Sequence, residues 1–282
     1  MSAVRLLNTI WKKTKFSRPY VIGMVHVPAL PGTPNNSLSP DEIVSKVKEE
    51  TKIYAEAEID GIMVENMHDI PYVQEPQLSP AVTACMTRAC MAVNEVLGSS
   101  AKNYGRGIQV LAAANHHAVA IAQACDFDFI RAECYTFAHV ADEGIMSACA
   151  GELLRYRRQI GASNVAVLVD LKKKHSSHAI TNDLSIGDVA KACEFFLADG
   201  LIITGSSTGR PANPEEIEEV KKQSKLPVFI GSGMTVRNLS NFLQADGFIV
   251  GSYFKKDGDW RNSLDSTKVK AFMEQIHCVK RR

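Results

Sequence analysis

Residues 227 to 258 read PVFIGSGMTVRNLSNFLQADGFIVGSYFKKDG and carry the strongest signal for the fold of this chain. Two short apolar runs, 228–230 and 248–250, each end in a turn of small residues. The segment 235–243 between them is expected to be helical. A buried strand, a glycine turn and a helix in close succession are typical of consecutive βα units in a parallel sheet.

The two small-residue turns predict a phosphate site. Their residues are Gly231, Ser232, Gly233, Gly251 and Ser252. Glycine lets the backbone approach a ligand closely, so that N–H groups can point at an anion. The turns after the last two strands of a (β/α)₈ barrel are where phosphate groups usually bind. The alternative is that the glycines of these two turns only make tight turns. A third turn, with Gly205 and Ser206, is expected to complete the site, and a flexible loop is the alternative there.

Eight short apolar runs alternate with helical segments, as expected of strands that are buried on both faces of a parallel sheet. The runs cover residues 20–25, 61–64, 107–112, 127–131, 164–169, 200–203, 227–230 and 247–250. Helices are expected to begin at Pro40 and Pro214 and to cover residues 80–97, 115–124, 145–160, 186–197 and 267–277. This order predicts one domain with an α/β fold, a single (β/α)₈ TIM barrel, for which 282 residues suffice. A doubly wound open sheet is the alternative, but the turn after the first strand contains no G-x-G-x-x-G sequence.

Composition argues against nucleic-acid and membrane partners. The chain is 45% apolar and 22% charged with a formal net charge of +1, so it has no charge excess to hold nucleic acid. No apolar run approaches the roughly 20 residues that span a bilayer. Seven scattered cysteines without a C-x-x-C pair fit free thiols in a reducing compartment, which favours the cytoplasm. A homo-oligomer is compatible with such a barrel, but the sequence does not locate an interface.

The first 18 residues are basic and contain no acidic side chain. Their cations are Arg5, Lys12, Lys13, Lys15 and Arg18, with apolar residues between them. This composition is typical of a mitochondrial presequence, although serine is scarce. Mitochondrial import and a segment that covers the bottom of the barrel therefore both remain open.

Polar residues at the strand ends are expected to face the active site, because the loops after the strands of a barrel build it. Asp170 is the first candidate for a catalytic acid or base, since it follows the apolar run 165–169; a structural ion pair or helix cap is the alternative. Glu65 and Glu133 are expected to assist as acid and base, or to hold a divalent cation such as Mg²⁺ through a substrate phosphate. His26 is expected to line the pocket. The side chains expected to contact substrate are Asn66, Asn115 and Arg131.

Lys172 begins a run of three lysines after the strand that ends at Asp170. One interpretation is a catalytic lysine that forms a Schiff base with a carbonyl substrate, as the lysines of barrel aldolases do. Such lysines normally lie within a strand. The alternative is a solvated loop that attracts anions.

Several blocks resemble the BtpA family, which includes SgcQ-type proteins. They are GMVHVPALPGTP at residues 23–34, DGIMVEN at 60–66, the stretch 170–176, GSG at 231–233 and ADGFIVGS at 245–252. The resemblance implies a TIM barrel of the ribulose-phosphate-binding type. The family is named for a role in photosystem I biogenesis, and some members are described as nucleosidases.

We expect the barrel to bind a phosphorylated sugar or nucleotide-like molecule and to act on it by acid–base chemistry, as a lyase, isomerase or nucleosidase. A non-enzymatic assembly or stability factor of the BtpA type is one alternative, and a metal-dependent hydrolase is another. Gly233→Val is expected to block the phosphate site in a protein that remains folded.

Overall fold

The computed structural model describes residues 18–205 and 207–279. The predictions for residues 1–17 and for Ser206 lie outside these ranges. The strands of the described residues are β1 (Tyr20–His26), β2 (Gly61–Glu65), β3 (Gly105–Gln109), β4 (Phe129–Ala132), β5 (His139–Ala141), β6 (Gly144–Met146), β7 (Ala166–Leu171), β8 (Ser176–Ser177), β9 (Gly200–Ile203), β10 (Val228–Ile230) and β11 (Gly247–Val250).

Eight of these strands form a closed parallel barrel in the order β1-β2-β3-β4-β7-β9-β10-β11. The barrel closes where β1 pairs with β11, with Tyr20 aligned to Gly247 and Gly23 to Val250. The predicted (β/α)₈ fold is therefore confirmed. The boundaries shift most at β3, which begins at Gly105 and ends at Gln109 instead of covering residues 107–112.

Helices surround the barrel. They are α1 (Pro40–Glu56), α2 (Pro80–Leu97), α3 (Asn115–Ala124), α4 (Ala150–Gln159), α5 (Ile186–Phe195), α6 (Pro214–Gln223) and α7 (Ser266–Cys278). Ser39 begins α1 through a capping box, because its hydroxyl accepts from the Glu42 amide and the Glu42 carboxylate accepts from the Ser39 amide. Within the described ranges, no helix has both the length and the apolar character needed to cross a membrane.

The prediction of a helix over residues 235–243 is wrong. Only a 3₁₀ turn, Leu239–Phe242, forms there. Asn238 explains the difference, because its side chain accepts from the Thr235 amide at 2.8 Å and donates to the Gly233 carbonyl at 2.8 Å. Such side-chain bonds compete with the backbone bonds of a helix.

The helix predicted over residues 145–160 begins five residues later, at Ala150, and ends at Gln159. Ile145 lies in β6, which pairs antiparallel with β5, and β5 pairs in turn with β8. This small three-stranded sheet links the loop after β4 with the loop after β7. It was absent from the sequence prediction because its strands are only two or three residues long.

Two apolar layers hold the fold together. Alternate residues of the strands fill the inside of the barrel, among them Tyr20, Ile22 and Met24 of β1. A larger layer packs between the strands and the helices. Gly107 shows how tightly the interior is filled, because a Cβ atom at this position would lie 2.1 Å from the ring of Phe129.

Candidate functional site

Two adjoining cavities occupy the barrel mouth, where the strands end. The first has a volume of about 160 Å³ and the second about 370 Å³. Both are lined by Glu65, Met67, Arg131, Lys174 and Thr208, so they form one continuous site. Because parallel strands bring their carboxyl ends to the same edge, this is the face at which barrel enzymes act.

The two small-residue turns after β10 and β11 line the first cavity. Gly231 donates its amide to the Ile203 carbonyl at 2.8 Å and so continues the strand pairing. The next two amides, of Ser232 and Gly233, have no acceptor among residues 18–205 and 207–279, and neither does the amide of Ser252. Backbone amides shielded from water are nearly always paired, so unpaired ones on a cavity wall are suited to an anion or to water.

Gly205 belongs to the wall rather than to the lining of either cavity. Its amide donates to the Ser232 hydroxyl at 2.7 Å, and that hydroxyl donates to the Arg210 carbonyl at 2.9 Å. A Cβ atom at Gly205 would lie 2.3 Å from the same carbonyl oxygen. The third predicted turn therefore supports the glycine turn after β10 from behind, and Ser206 lies outside the described residues.

Gly233 is conformationally required. Its φ is +68°, and a Cβ atom there would lie 2.2 Å from the backbone nitrogen of Pro211. Gly233→Val would therefore collide with the chain behind the turn as well as strain its own backbone. The prediction that this variant blocks the site without disturbing the fold is wrong.

Arg131 and Asp170 form a buried ion pair at the base of the site. The guanidinium Nη2 lies 2.9 Å from one carboxylate oxygen, and Nε lies 3.1 Å from each of the two. Burial raises the pKa of Asp170, and the guanidinium opposes that rise. Asp170 lines neither cavity. Asp170 thus lies behind Arg131 and holds the guanidinium in position. This is the structural ion pair that was the alternative interpretation of Asp170.

Glu65 and His26 face each other beside the first cavity, with 3.6 Å between Oε2 and Nε2. Nδ1 of His26 lies 3.3 Å from the Trp260 carbonyl, which can only accept, so Nδ1 carries the proton and Nε2 is the acceptor nitrogen. Burial raises the pKa of Glu65. Burial and the charge of Lys255 lower the pKa of His26 well below 6.5. This arrangement suits a neutral histidine and a carboxyl group that can donate a proton.

Glu133 and Lys173 form a second buried ion pair, 3.2 Å apart, on the wall of the second cavity. The same Glu133 oxygen accepts from the Ala113 amide at 3.0 Å, and Glu143 lies 3.8 Å from the Lys173 ammonium. Attraction to Glu133 and Glu143 outweighs burial and raises the pKa of Lys173. Glu133 therefore holds the Lys173 ammonium in position.

The lysine run after β7 does not behave as one solvated segment. Lys172 donates to the Leu184 carbonyl at 2.5 Å and lines neither cavity, so the structure does not bring it to the site. Lys174, which the sequence reasoning passed over, lines both cavities. Burial and the nearby charge of Arg131 lower the pKa of Lys174, against the carboxylates of Glu65, Asp170 and Glu133.

The two asparagines that were expected to contact substrate instead form hydrogen bonds within the protein. Asn66 donates to Asp69 at 2.9 Å and accepts from the Leu111 amide at 2.8 Å. Asn115 donates to the Glu133 carbonyl at 2.7 Å. Neither residue lines a cavity. Gln109 does, at the end of β3, and its Oε1 has no hydrogen-bond partner in the described part of the chain, so the site offers an amide that the sequence prediction missed.

Side chains that could bind a metal ion line both cavities, among them Glu65 and His26 in the first and Glu65, Glu133 and Glu143 in the second. No group of three or more histidine, cysteine, aspartate or glutamate side chains suited to a metal ion occurs within residues 18–205 and 207–279. A divalent cation such as Mg²⁺ would therefore need oxygens of a bound phosphate in addition to Glu65.

Comparison with solved structures supports the fold. Thiamine phosphate pyrophosphorylase from Pyrococcus furiosus superposes with a TM-score of 0.54 over 93% of this chain and 96% of that chain. Only 12% of the aligned residues are identical, so the likeness concerns the barrel architecture.

Comparison of sequences identifies the family. A Caenorhabditis elegans protein named as mitochondrial is 48% identical over 268 residues, which are 94% of this chain and 95% of that protein. The photosystem I biogenesis protein BtpA of Synechocystis sp. is 35% identical over 258 residues, which are 91% of this chain and 87% of that protein. The model of the BtpA family matches residues 17–278. This chain therefore belongs to the BtpA family.

Proposed function

We propose that the barrel mouth binds a phosphorylated small molecule, a sugar phosphate or a nucleotide-like compound. The phosphate would lie in the first cavity and the reacting carbon in the second. The observation that carries this proposal is the set of amides without acceptors, of Ser232, Gly233 and Ser252, beside the guanidinium of Arg131. Amides at a tight turn form an anion site, and arginine adds a fixed positive charge. The neighbour from Pyrococcus furiosus is named for a phosphate compound, which supports the same reading.

We propose acid–base chemistry as the reaction type, as in a lyase, an isomerase or a nucleosidase. Glu65 is the leading acid, because burial raises its pKa and so favours the protonated form, and because it borders both cavities. His26 would keep that carboxyl group in place through its acceptor nitrogen. Asp170 would act by positioning Arg131, and Glu133 by positioning Lys173.

The test is a thermal-shift screen of the purified protein against sugar phosphates, nucleotides, nucleosides and inorganic phosphate. A ligand at about 100 times its Kd stabilises the folded state by about 2.7 kcal/mol. For 282 residues this corresponds to a rise in Tm of roughly 4 to 5 °C. Ser252→Asp places a carboxylate among the amides and should abolish the shift. Ser252→Ala is the matched control, because it keeps the backbone amide and should retain the shift.

A shift that survives in a folded Ser252→Asp protein would refute the phosphate assignment. Each ligand is measured with and without Mg²⁺. A shift that requires the metal would favour the metal-dependent hydrolase, and equal shifts would count against it.

A non-enzymatic assembly factor is the second candidate. The name of the Synechocystis relative favours it, and so does the exposure of Phe195, the last residue of α5, and of Leu197 just after it, which are 81% and 67% exposed. Under this candidate no phosphorylated compound would shift Tm. Substitution of Phe195 by serine would then reduce recovery of the assembled partner complex in cells, whereas Ser252→Asp would leave it unchanged.

The name of the Caenorhabditis elegans relative favours mitochondrial import over the cytoplasm for this chain. Residues 1–18 fused to a fluorescent protein should then enter mitochondria. Replacement of their basic residues by glutamine should return the fusion to the cytoplasm.

A further inference from the structure

Lys174 lies at the junction of the two cavities and lines both of them. It comes three residues after β7 ends, in a loop whose backbone reverses at Lys172 and His175, which have φ values of +44° and +56°. Its side chain thereby reaches the barrel mouth, between the place proposed for a phosphate and the cavity that holds Glu133 and Gln109.

The ammonium of Lys174 has no hydrogen bond and no ion pair with any described residue. Its two neighbours in the run differ in this respect. Lys173 is paired with Glu133 at 3.2 Å, and Lys172 donates to the Leu184 carbonyl at 2.5 Å. A lysine without a partner at the centre of a site is available for a ligand, whereas its neighbours are already occupied.

The surroundings of Lys174 ease the loss of its proton. Burial of the ammonium and the nearby charge of Arg131 lower the pKa of Lys174, and the carboxylates of Glu65, Asp170 and Glu133 oppose this change only in part. A second cation and partial desolvation are the two conditions that activate lysine as a nucleophile. The carboxyl group of Glu65 borders the same two cavities and can move protons.

We propose that the ε-amino group of Lys174 forms an imine with an aldehyde or ketone group of the ligand, and that the ligand is therefore an open-chain sugar phosphate or a related phosphorylated carbonyl compound. This inference rests on the proposed phosphate site, which would bring the carbonyl carbon to the junction of the cavities. It replaces Lys172, the lysine that the sequence suggested for this chemistry.

The steps balance without any oxidant or reductant. The nitrogen lone pair attacks the carbonyl carbon, a C–N bond forms, and the C=O electron pair moves to oxygen, which takes a proton from Glu65. The nitrogen then returns a proton to the Glu65 carboxylate. Glu65 protonates the resulting hydroxyl group, which leaves as water while the nitrogen lone pair forms the C=N bond of a protonated imine. Return of the N–H proton to the Glu65 carboxylate gives the neutral imine and restores the acid, so that one amine and one carbonyl give one imine and one water.

The experiment traps the imine with borohydride, which delivers hydride to the C=N carbon and leaves a stable secondary amine. The probes are glyceraldehyde 3-phosphate, ribose 5-phosphate and fructose 6-phosphate, each with its alditol phosphate as a control without a carbonyl. Tm shifts report binding, and peptide mass mapping reports the modified lysine. We expect one adduct, at Lys174, that Lys174→Arg abolishes and Lys172→Arg retains.

The outcomes separate this inference from the proposed function. Tm shifts with both carbonyl and alditol phosphates, but without an adduct, would overturn the imine and leave the phosphate site standing. An adduct confined to other lysines of the wild-type protein would overturn the imine as well, whether or not Lys174→Arg folds. If no probe shifts Tm and no adduct forms, the phosphate site fails and the imine with it.

Discussion

Replacement of Asp170 by asparagine is expected to destabilise the folded chain by about 3 kcal/mol, because it leaves the guanidinium of Arg131 buried without its counterion. The two side chains are 4% and 1% exposed. Removal of one partner of such a pair costs about 3 to 5 kcal/mol. The charge of Glu133 also attracts Arg131 and compensates part of the loss, which places the expected cost at the lower end.

This cost can be converted into a melting temperature. At about 2.1 cal/mol/K per residue, unfolding of 282 residues has an entropy of about 0.6 kcal/mol/K. A loss of about 3 kcal/mol therefore lowers Tm by about 5 °C. Thermal unfolding and urea unfolding should both detect it.

The matched control is Asp41→Asn. Asp41 and Arg88 are only 2.6 Å apart, but their side chains are 89% and 49% exposed. Water screens an exposed pair, so this variant should cost at most about 1 kcal/mol, or less than about 2 °C in Tm. The double variant Arg131→Met/Asp170→Leu should recover most of the stability, since no buried charge is left. Equal losses for Asp170→Asn and Asp41→Asn would refute the assignment of Asp170 as a buried positioning residue.

Three further predictions follow from individual contacts. Burial holds the pKa of His26 well below 6.5, so below that pH the unfolded chain takes up a proton that the folded chain does not. Stability should then fall with decreasing pH by up to about 1.4 kcal/mol per pH unit, and His26→Asn should remove this part of the slope in urea unfolding between about pH 7 and about pH 5. Glu65→Gln should slow imine formation at Lys174 by about 100-fold or more while the ligand-induced Tm shift persists; an unchanged rate would exclude Glu65 as the proton donor. Gly107→Ala should cost about 1 to 3 kcal/mol, because its methyl group overlaps the ring of Phe129, whereas Gly151→Ala in α4, which meets only the end of the Arg155 side chain, should stabilise the helix by about 0.5 to 1 kcal/mol.

The sequence is sufficient for the barrel because strands and helices have strong local signals. β9 and β11 form where continuous apolar runs predict them, and α2 and α3 begin and end at the predicted residues. The errors in the predicted helices arise where a side chain takes the hydrogen bonds of the backbone, or where an apolar residue fits either a helix or a strand. Asn238 replaces helical bonds in the turn after β10, and Ile145 pairs in a short hairpin although its spacing from α4 fits a helix.

The sequence predicts which residues lie at the strand ends around the site. It does not predict the direction in which each of their side chains points. Every barrel strand ends at the same edge, so Glu65, Arg131 and the glycine turns could be expected to meet there. Which polar side chain faces the cavity and which supports it from behind depends on contacts between distant residues. Asn66 and Asp170 are polar residues at strand ends, as site residues usually are. Their partners, Leu111 and Arg131, lie about 40 positions away along the chain, so the sequence does not show that these side chains are already bound.

The run of three lysines after β7 shows this limit most clearly, because three identical side chains have three different sets of contacts. In an extended strand, consecutive residues would alternate between two faces. The positive φ at Lys172 interrupts this alternation, and Lys172 donates to the Leu184 carbonyl, Lys173 pairs with Glu133, and Lys174 lines the mouth. A charge balance follows from these placements. Within the described residues, Arg131 and Lys173 are each paired with a carboxylate, whereas Lys174 has no ion pair and lines both cavities together with Glu65. A bound phosphate would add negative charge beside this pair and favour the protonated forms of both. The ammonium of Lys174 must therefore lose its proton before the amine attacks a carbonyl carbon.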